Sequence, residues 1–251
     1  MPIEAVLFDL FNTLIMVRDG DAFYKPALRQ LHKTLTKSNI SIPFDAFRHE
    51  YFQVRDELYK EAETNLEEPH FNIRISQTLR NFNIHLPPEH PAITKATNTF
   101  CKEFTKHTSR DPDAETILPK LSKKYKLGIV SNFAIPECAC TLLKQARISQ
   151  YFQTVIISAA INKRKPSPEI FQKALQTLNT QPSKAIFVGD TPNADIQGAK
   201  NTGMRAILIK RPPLLEDTPQ PTSQNSEQTP NIQPDHTIHR LTELLNMLQQ
   251  Y

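Results

Sequence analysis

The sequence predicts an α/β fold, in which a doubly wound parallel sheet carries an all-helical segment inserted after its first strand. Three observations support this prediction. A short apolar run, 5–7, opens the chain; a long stretch with helical periodicity follows it; and apolar runs then alternate with helical patterns from about residue 113 onward. Regular alternation of strands and helices is typical of parallel sheets with right-handed crossovers.

The strands are predicted from short apolar runs bounded by turn residues. These runs lie at 5–10, 127–132, 154–158, 185–189 and 206–210. Helical patterns accompany the last four of them, and they lie near 115–125, 136–146, 167–178 and 193–201. We therefore expect about five parallel strands. A further short strand is predicted at 235–238, followed by a terminal helix with the apolar face Leu241, Leu244, Leu245 and Leu248.

The inserted segment shows the 3.6-residue period of amphipathic helices. Apolar residues recur every three or four positions in 23–35, 44–58 and 96–104, and 71–82 is predicted to be a further helix. Four helices without strands predict a small bundle with its own apolar core.

These patterns predict two domains. Residues 1–15 and 113–251 form the α/β core, and 16–112 form the helical domain. Within the core, 212–234 contains six prolines among Ser, Thr, Gln and Asn. Such a segment buries too little apolar surface to offset its ordering entropy. We therefore expect a disordered or loosely held loop there.

The composition is that of a soluble globular protein, with 39% hydrophobic and 22% charged residues and a formal net charge of +4. The densest basic run is 163–165, which is too short to indicate a nucleic-acid partner. No apolar run approaches the length of a membrane span, and no charged-then-apolar leader opens the chain. With three cysteines, an odd number, the sequence favours a reducing compartment. We expect a cytoplasmic protein without nucleic-acid or membrane partners; the sequence indicates no oligomeric state.

Two acidic segments follow predicted strands, FDLFNTL at 8–14 and GDTPNAD at 189–195. Open parallel sheets build their ligand sites at the carboxyl ends of strands, so Asp9, Asp190 and Asp195 are expected to lie together. Three carboxylates repel one another, and a hard divalent cation such as Mg²⁺ is their natural neutraliser. A carboxylate nucleophile beside Mg²⁺ suits phosphoryl transfer.

Two further segments lie between these in the chain. LGIVSN at 127–132 is a strand that ends in a hydroxyl and an amide, and KRKPSPEIF at 163–171 places a lysine just before a helix start. With all four segments in this order, the chain resembles the haloacid dehalogenase-like (HAD) superfamily, in the branch that has a helical cap inserted after the first strand. The resemblance covers roughly 3–210 and implies a Rossmann-like core with 16–112 as the cap.

The resemblance implies a catalytic or substrate-binding role for four residues. Asp9 matches the nucleophile that forms an aspartyl intermediate. Ser131 matches the hydroxyl that holds a phosphate oxygen, with Asn132 beside it. Lys165 matches the cation that neutralises both nucleophile and phosphate, a role that suits the point charge of an ammonium.

The resemblance also implies a set of metal ligands. Asp9 and Asp190 are direct ligands of Mg²⁺, together with the backbone carbonyl of Phe11. Asp195 is expected to reach the metal directly or through water.

Position 11 departs from the pattern of the resembled phosphatases, which generally carry a second aspartate there. That carboxylate protonates the leaving group and later activates water. Phe11 can do neither, so general acid–base catalysis worth about 10²–10⁴-fold is missing from its usual place. The dehalogenase branch carries an aromatic tyrosine at this position, but it needs no metal and usually lacks the G-D-x-x-x-x-D pattern found here at 189–195.

We therefore expect a Mg²⁺-dependent phosphatase or phosphotransferase that acts on a small phosphorylated molecule through an aspartyl-phosphate intermediate. Two alternatives stay open. One is a 2-haloacid dehalogenase-type hydrolase, in which Asp9 attacks a carbon that bears a halide. The other is a catalytically weakened HAD-fold protein with a binding or regulatory role. The sequence does not identify the substrate.

Overall fold

The computed structural model describes residues 2–18, 23–211 and 233–250. The loop expected at 212–234 lies almost wholly outside these residues. In chain order, the helices and strands are β1 (Ala5–Phe8), β2 (Ile15–Val17), α1 (Tyr24–Thr36), α2 (Phe44–Asn65), α3 (Phe71–Arg80), α4 (Pro91–Thr105), β3 (Thr108–Arg110), α5 (Pro112–Leu121), β4 (Lys126–Ser131), α6 (Pro136–Gln145), β5 (Thr154–Ile157), α7 (Ser158–Ile161), α8 (Pro168–Thr177), β6 (Ala185–Gly189), a π-helix (Pro192–Gln197), α9 (Gly198–Asn201), β7 (Arg205–Ile209), β8 (His236–Ile238) and α10 (Leu244–Met247).

The central sheet has the strand order β5-β4-β1-β6-β7-β8. Its pairings are all parallel, and β1 lies between β4 and β6, with Ala5 opposite both Lys126 and Ala185. The predicted α/β fold class is confirmed. Because the chain builds outward from β1 in both directions, the strand order reverses beside β1, where such sheets form a crevice at their carboxyl edge.

Both faces of the sheet are covered, as the alternation of side chains in β1 shows. Val6 and Phe8 belong to one buried cluster, which also contains residues of α5, α6 and the C-terminal segment. Ala5 and Leu7 belong to a second cluster on the opposite face, with α8 and α9. Strands buried on both faces have near-continuous apolar sequences, which is why the runs in the sequence were sufficient to locate them.

The helices α1–α4 lie between β2 and β3, and we refer to them as the cap helices. They share a buried cluster of their own, in which α1 packs against α4. None of the helices in the described part of the chain combines the length and apolar composition needed to cross a lipid bilayer. The division of the chain at 16 and 112 stays a prediction.

The structure also contains elements that the sequence analysis missed. The strands β2 and β3 form a separate two-stranded antiparallel sheet, in which Ile15 lies opposite Arg110. The helix predicted at 115–125 begins earlier, at Pro112, because the Asp111 side chain accepts a hydrogen bond from the Asp113 N–H and so caps the helix start.

Candidate active site

The seven residues predicted to form a site surround one cavity at the carboxyl edge of the sheet. Asp9 directly follows β1, Ser131 ends β4 and Asp190 follows β6. The cavity has a volume of about 150 Å³ and is lined by Asp9, Phe11, Asn12, Ser131, Asn132, Lys165, Asp190, Thr191, Ala194 and Asp195. The meeting of these side chains follows from the order of the strands, because β4, β1 and β6 are neighbours.

Lys165 lies at the centre of this cavity. Its Nζ donates hydrogen bonds to Oδ1 of Asp9, at 2.5 Å, and to Oδ1 of Asp195, at 2.6 Å. Although burial lowers the pKa of Lys165, the Asp195 and Asp9 carboxylates outweigh that effect and raise it. The lysine is therefore a permanent cation that touches two carboxylates.

Asn132 fixes the backbone of the loop that carries Lys165. The Asn132 Nδ2 donates to the Lys165 carbonyl at 2.9 Å, and the Lys165 N–H donates to Asn132 Oδ1 at 2.7 Å. Both ends of the amide are thus engaged by one residue. The substrate contact expected of Asn132 stays a prediction, while these bonds give it a positioning role.

The three aspartates form a compact acidic cluster. One carboxylate oxygen from each of Asp9, Asp190 and Asp195 lies within 4.8 Å of the others. Burial raises the pKa of Asp9 to about 7 against the effect of the Lys165 ammonium, and the other two carboxylates add to the rise. Burial and the Asp195 charge raise the pKa of Asp190 to about 6. When all three are ionised, Lys165 balances only one charge, and a divalent cation would balance the remaining two.

The position of Asp195 depends on local backbone structure. Asp195 lies in the π-helix, and its Oδ2 accepts a hydrogen bond from the Thr191 N–H at 2.9 Å. A Cβ atom at Gly189 would lie 2.3 Å from the same Oδ2, so only glycine leaves room for the carboxylate. Lys165 and Thr191 each donate a hydrogen bond to one oxygen of Asp195. Asp195 is therefore better suited to a supporting position beside a metal ion than to the role of its main ligand.

Ser131 carries a hydroxyl without a partner. The side chain is buried, and Oγ makes no hydrogen bond within residues 2–18, 23–211 and 233–250. Leaving a buried hydroxyl unpaired costs about 1–3 kcal/mol. Beside an acidic cluster and a lysine, this donor fits a ligand that brings its own acceptor oxygens, such as a phosphate coordinated to a cation.

Phe11 occupies the position where the resembled phosphatases carry an acid. Its half-buried ring packs on Phe133, at 4.8 Å between centroids, and on Phe104 of α4, at 5.8 Å. Phe104 in turn contacts Phe23 at 4.8 Å. The ring therefore joins the loop after β1 to the cap helices and offers no proton to the cavity.

The connection between α2 and α3 contacts the loops that carry the candidate site residues. The Arg164 N–H donates to the Leu66 carbonyl at 2.9 Å, and Oε2 of buried Glu68 lies 3.5 Å from Arg164 Nε. The Phe71 N–H donates to the Ala134 carbonyl at 2.9 Å. The sequence analysis missed Glu68, because a carboxylate in a loop shows no periodic signal.

A family model described as haloacid dehalogenase-like hydrolase matches residues 44–209 of this chain. A glyceraldehyde 3-phosphate phosphatase of Pyrococcus furiosus is 29% identical over 83% of this chain and 81% of its own length. The human N-acylneuraminate-9-phosphatase is 27% identical over 82% of both chains. A phosphoserine phosphatase of Thermus thermophilus is 32% identical over 42% of this chain and 43% of its own.

Solved structures show the same fold. A 2-haloacid dehalogenase from Pseudomonas syringae pv. Tomato superimposes with a TM-score of 0.68 at 23% identity, over 99% of both chains. A HAD phosphatase from Thermococcus onnurineus superimposes with a TM-score of 0.62 at 25% identity, over 98% of both chains. The family match spans most of the chain and includes three of the four motif segments entirely, and the fold agrees over nearly its full length. This protein belongs to the haloacid dehalogenase-like hydrolase family.

Proposed function

We propose that this protein is a Mg²⁺-dependent phosphatase or phosphotransferase that acts on a small organic phosphate through an aspartyl-phosphate intermediate. The observation that carries the proposal is the Ser131 hydroxyl, which has no partner among the described residues and lies in one cavity with the Asp9–Lys165 ion pair and the acidic cluster. Relatives named as phosphatases of three different substrates support the same chemistry.

Asp9 acts as the nucleophile in this proposal. Its Oδ1 is held by Lys165, which leaves Oδ2 to attack phosphorus while the bond to the leaving-group oxygen breaks. The Ser131 hydroxyl donates to one phosphoryl oxygen, and the Lys165 ammonium offsets negative charge on both Asp9 and the phosphoryl group. Water then attacks phosphorus, which releases phosphate and restores the Asp9 carboxylate.

Mg²⁺ would be held by Asp9, Asp190 and the Phe11 carbonyl, with Asp195 in support. When bound, it would neutralise charge on the phosphoryl group and the carboxylates. The residues fit this ion because the acidic cluster holds more negative charge than Lys165 balances.

The leaving group receives no proton from position 11, because Phe11 has no ionisable group. An alcohol that departs easily without protonation is therefore the better substrate. The second step also lacks its usual base, so the phosphorylated Asp9 persists and its phosphoryl group can pass to an added alcohol, which is the phosphotransferase reaction.

Phosphate release from an aryl phosphate, measured with Mg²⁺ and with EDTA, tests this function. We expect release that depends on Mg²⁺ and disappears in Asp9→Asn, a matched control that keeps the shape of the side chain. Calorimetry should show Mg²⁺ binding that is lost in Asp190→Ala. Mg²⁺ binding without any turnover would instead support the weakened, regulatory HAD-fold protein.

The aromatic residue at position 11 favours a second candidate, hydrolysis of a 2-haloacid. Asp9 would attack the carbon that bears the halide, the carbon–halogen bond would break, and water would hydrolyse the resulting ester. Chloride release from 2-chloropropionate in EDTA, with no phosphate release from aryl phosphates, would establish this candidate. The dense acidic cluster argues against it, because an ester intermediate needs no divalent cation.

We further infer that the protein works in the cytoplasm on a small phosphorylated molecule, without a nucleic-acid or membrane partner. The composition and the shortness of the densest basic run, 163–165, support this inference.

A further inference from the structure

A buried arginine in the cap helices has no counter-ion among the described residues. Arg74, in the first turns of α3, is only 5% exposed. Its Nη1 donates to the hydroxyls of Tyr24 and Tyr51, both at 3.2 Å. In the described part of the chain no carboxylate pairs with this guanidinium, and its Nε–H is buried without a hydrogen-bond partner.

The surroundings of Arg74 compensate its charge only in part. The guanidinium lies 5.2 Å from the Tyr59 ring centroid, 5.4 Å from that of Phe71 and 5.7 Å from that of Tyr51. Aromatic faces attract a cation weakly compared with a carboxylate. Charged side chains are almost never fully buried without a partner, so this arrangement favours an anion that the described residues do not supply.

The unused side of Arg74 has the geometry for a carboxylate. Both hydrogen bonds from Arg74 to tyrosines are donated by Nη1. The other edge of the guanidinium is formed by Nε and Nη2, and its Nε–H has no partner among the described residues. This edge of a guanidinium binds a carboxylate through two parallel hydrogen bonds.

Arg74 lies in the first turn of α3, which is bonded to the loop that follows β4. α3 begins at the boundary with the core, where the Phe71 N–H bonds to the Ala134 carbonyl, three residues after Ser131. Arg74 is about one helical turn from Phe71, and its guanidinium contacts the Phe71 ring. A second set of contacts runs through α1, because Arg74 donates to Tyr24, and the adjacent Phe23 contacts Phe104, which packs on Phe11 of the cavity lining.

We propose that Arg74 binds a carboxylate of the substrate, and that the substrate class is a phosphate monoester whose alcohol portion carries a carboxylate several bonds from the ester oxygen. This proposal rests on the proposed phosphatase function. It adds a second anchor to the one at Ser131 and Lys165, and it makes Arg74 a specificity-determining residue.

Matched aryl phosphates test the proposal. The probes are phosphate monoesters of 4-hydroxyphenylacetic, 4-hydroxyphenylpropanoic and 4-hydroxyphenylbutanoic acids, each compared with its neutral amide. Within each pair the leaving group stays similar and only the distant charge changes. At the length that reaches Arg74, the wild-type protein should prefer the acid over the amide by about 10- to 100-fold in kcat/KM, as expected for a charge-assisted hydrogen-bonded pair.

Variants assign that preference to Arg74. The ratio of kcat/KM for the acid to that for the amide should fall to about one in Arg74→Gln. In Arg74→Lys it should take an intermediate value, because lysine keeps the charge but cannot donate two parallel hydrogen bonds. Because the ratio is taken within each protein, a general loss of activity cancels. No acid preference in the wild-type protein at any length overturns the proposal, even if Arg74→Gln fails to fold. A preference that persists in the variants also overturns it.

Phenyl phosphate separates this proposal from the proposed function. If wild-type protein hydrolyses phenyl phosphate but shows no acid preference, only the role of Arg74 fails. If phenyl phosphate is not hydrolysed, the phosphatase function fails, and calorimetric binding of the same acid–amide pairs then decides about Arg74. Activation of phenyl phosphate hydrolysis by a free 4-hydroxyphenylalkanoic acid would identify an effector site and overturn the substrate assignment.

Discussion

Replacing Phe11 by aspartate should supply a general acid for the leaving group. The wild-type rate should depend on how easily the leaving group departs without a proton, and the rate of the variant should depend on it less. The carboxyl group would enter a cavity that already contains Asp9 and Asp190 and would protonate the departing oxygen. General acid catalysis is worth about 10²–10⁴-fold, which corresponds to about 2.7–5.5 kcal/mol of activation free energy. The gain should be large for alkyl phosphates and small for aryl phosphates, whose phenols have pKa values near 10 and depart with less help.

The substitution also carries a structural cost. Phe11 loses its ring contacts with Phe104 and Phe133, and each such contact is worth about 0.5–1.5 kcal/mol. A total of about 1–3 kcal/mol should lower Tm by several degrees. Phe11→Asn is the matched control, because it loses the same contacts and has nearly the same shape as aspartate but cannot donate the proton of a carboxylic acid.

Initial rates across a series of alkyl and aryl phosphates measure the effect. We expect kcat/KM of the aspartate variant to exceed that of the asparagine variant by tens-fold or more on alkyl phosphates. The dependence of the wild-type rate on leaving-group pKa should be steeper than that of the aspartate variant. Equal rates for the two folded variants on alkyl phosphates, together with equal wild-type rates on alkyl and aryl substrates, would refute the reasoning.

Three further predictions follow from the site and its supports. Ser131→Ala should leave the free energy of unfolding unchanged or raise it by about 1 kcal/mol, because a buried unpaired hydroxyl is removed, while kcat/KM for aryl phosphates falls; lower stability in urea unfolding with unchanged kcat/KM would contradict the assigned role. Gly189→Ala should lower Tm and weaken calorimetric Mg²⁺ binding, since its Cβ would lie 2.3 Å from Oδ2 of Asp195; wild-type values of both would show that the carboxylate has room to move. The Arg240 hydrogen bonds lower the pKa of Asp113, so its stabilising contribution is complete above the unfolded value near 3.9 and is lost as the pH falls through the lower folded value. Asp113→Asn should therefore reduce stability in urea unfolding at pH 7 and by progressively less as the pH falls below the unfolded value, and a difference independent of pH would exclude an ionic origin.

The core sheet and the grouping of the acidic residues were predictable from sequence for one reason. Parallel strands buried on both faces appear as continuous apolar runs, and their carboxyl ends meet at one edge. Once the strands before Asp9, Asn132 and Asp190 had been recognised, the residues after them had to lie close together. Their roles in catalysis and metal binding stay predictions.

The short antiparallel sheet could not be predicted in the same way. Each of its strands has three residues, which is too short for an alternating pattern to stand out. The partner of Ile15 is Arg110, on the far side of four helices. Their pairing is a consequence of how the cap helices return to the core, which no local window of sequence contains.

Arg74 left a signal that the sequence analysis did not use. The buried side of α3 contains Phe71, Ile75 and Leu79, and Arg74 lies on the same side, where an apolar residue is expected. A charged residue on the apolar side of a helix must find a partner or carry a function. Periodicity shows that Arg74 is unusual, but only the three-dimensional contacts show that tyrosines, and no carboxylate of the described residues, surround it.

The pairing of β2 with β3 makes the cap helices an exchangeable unit. The chain leaves the core at Ile15 and returns at Arg110, directly opposite, so the ends of the intervening segment are already joined. The entropy of closing a loop grows only slowly with its length, and here the closure is provided by the paired strands themselves. Segments of very different length or sequence could therefore be accommodated between Val17 and Thr108 without disturbing the sheet. Substitution of that segment, in evolution or by engineering, would change the side chains that pack on Phe11 without changing the strands that position Asp9.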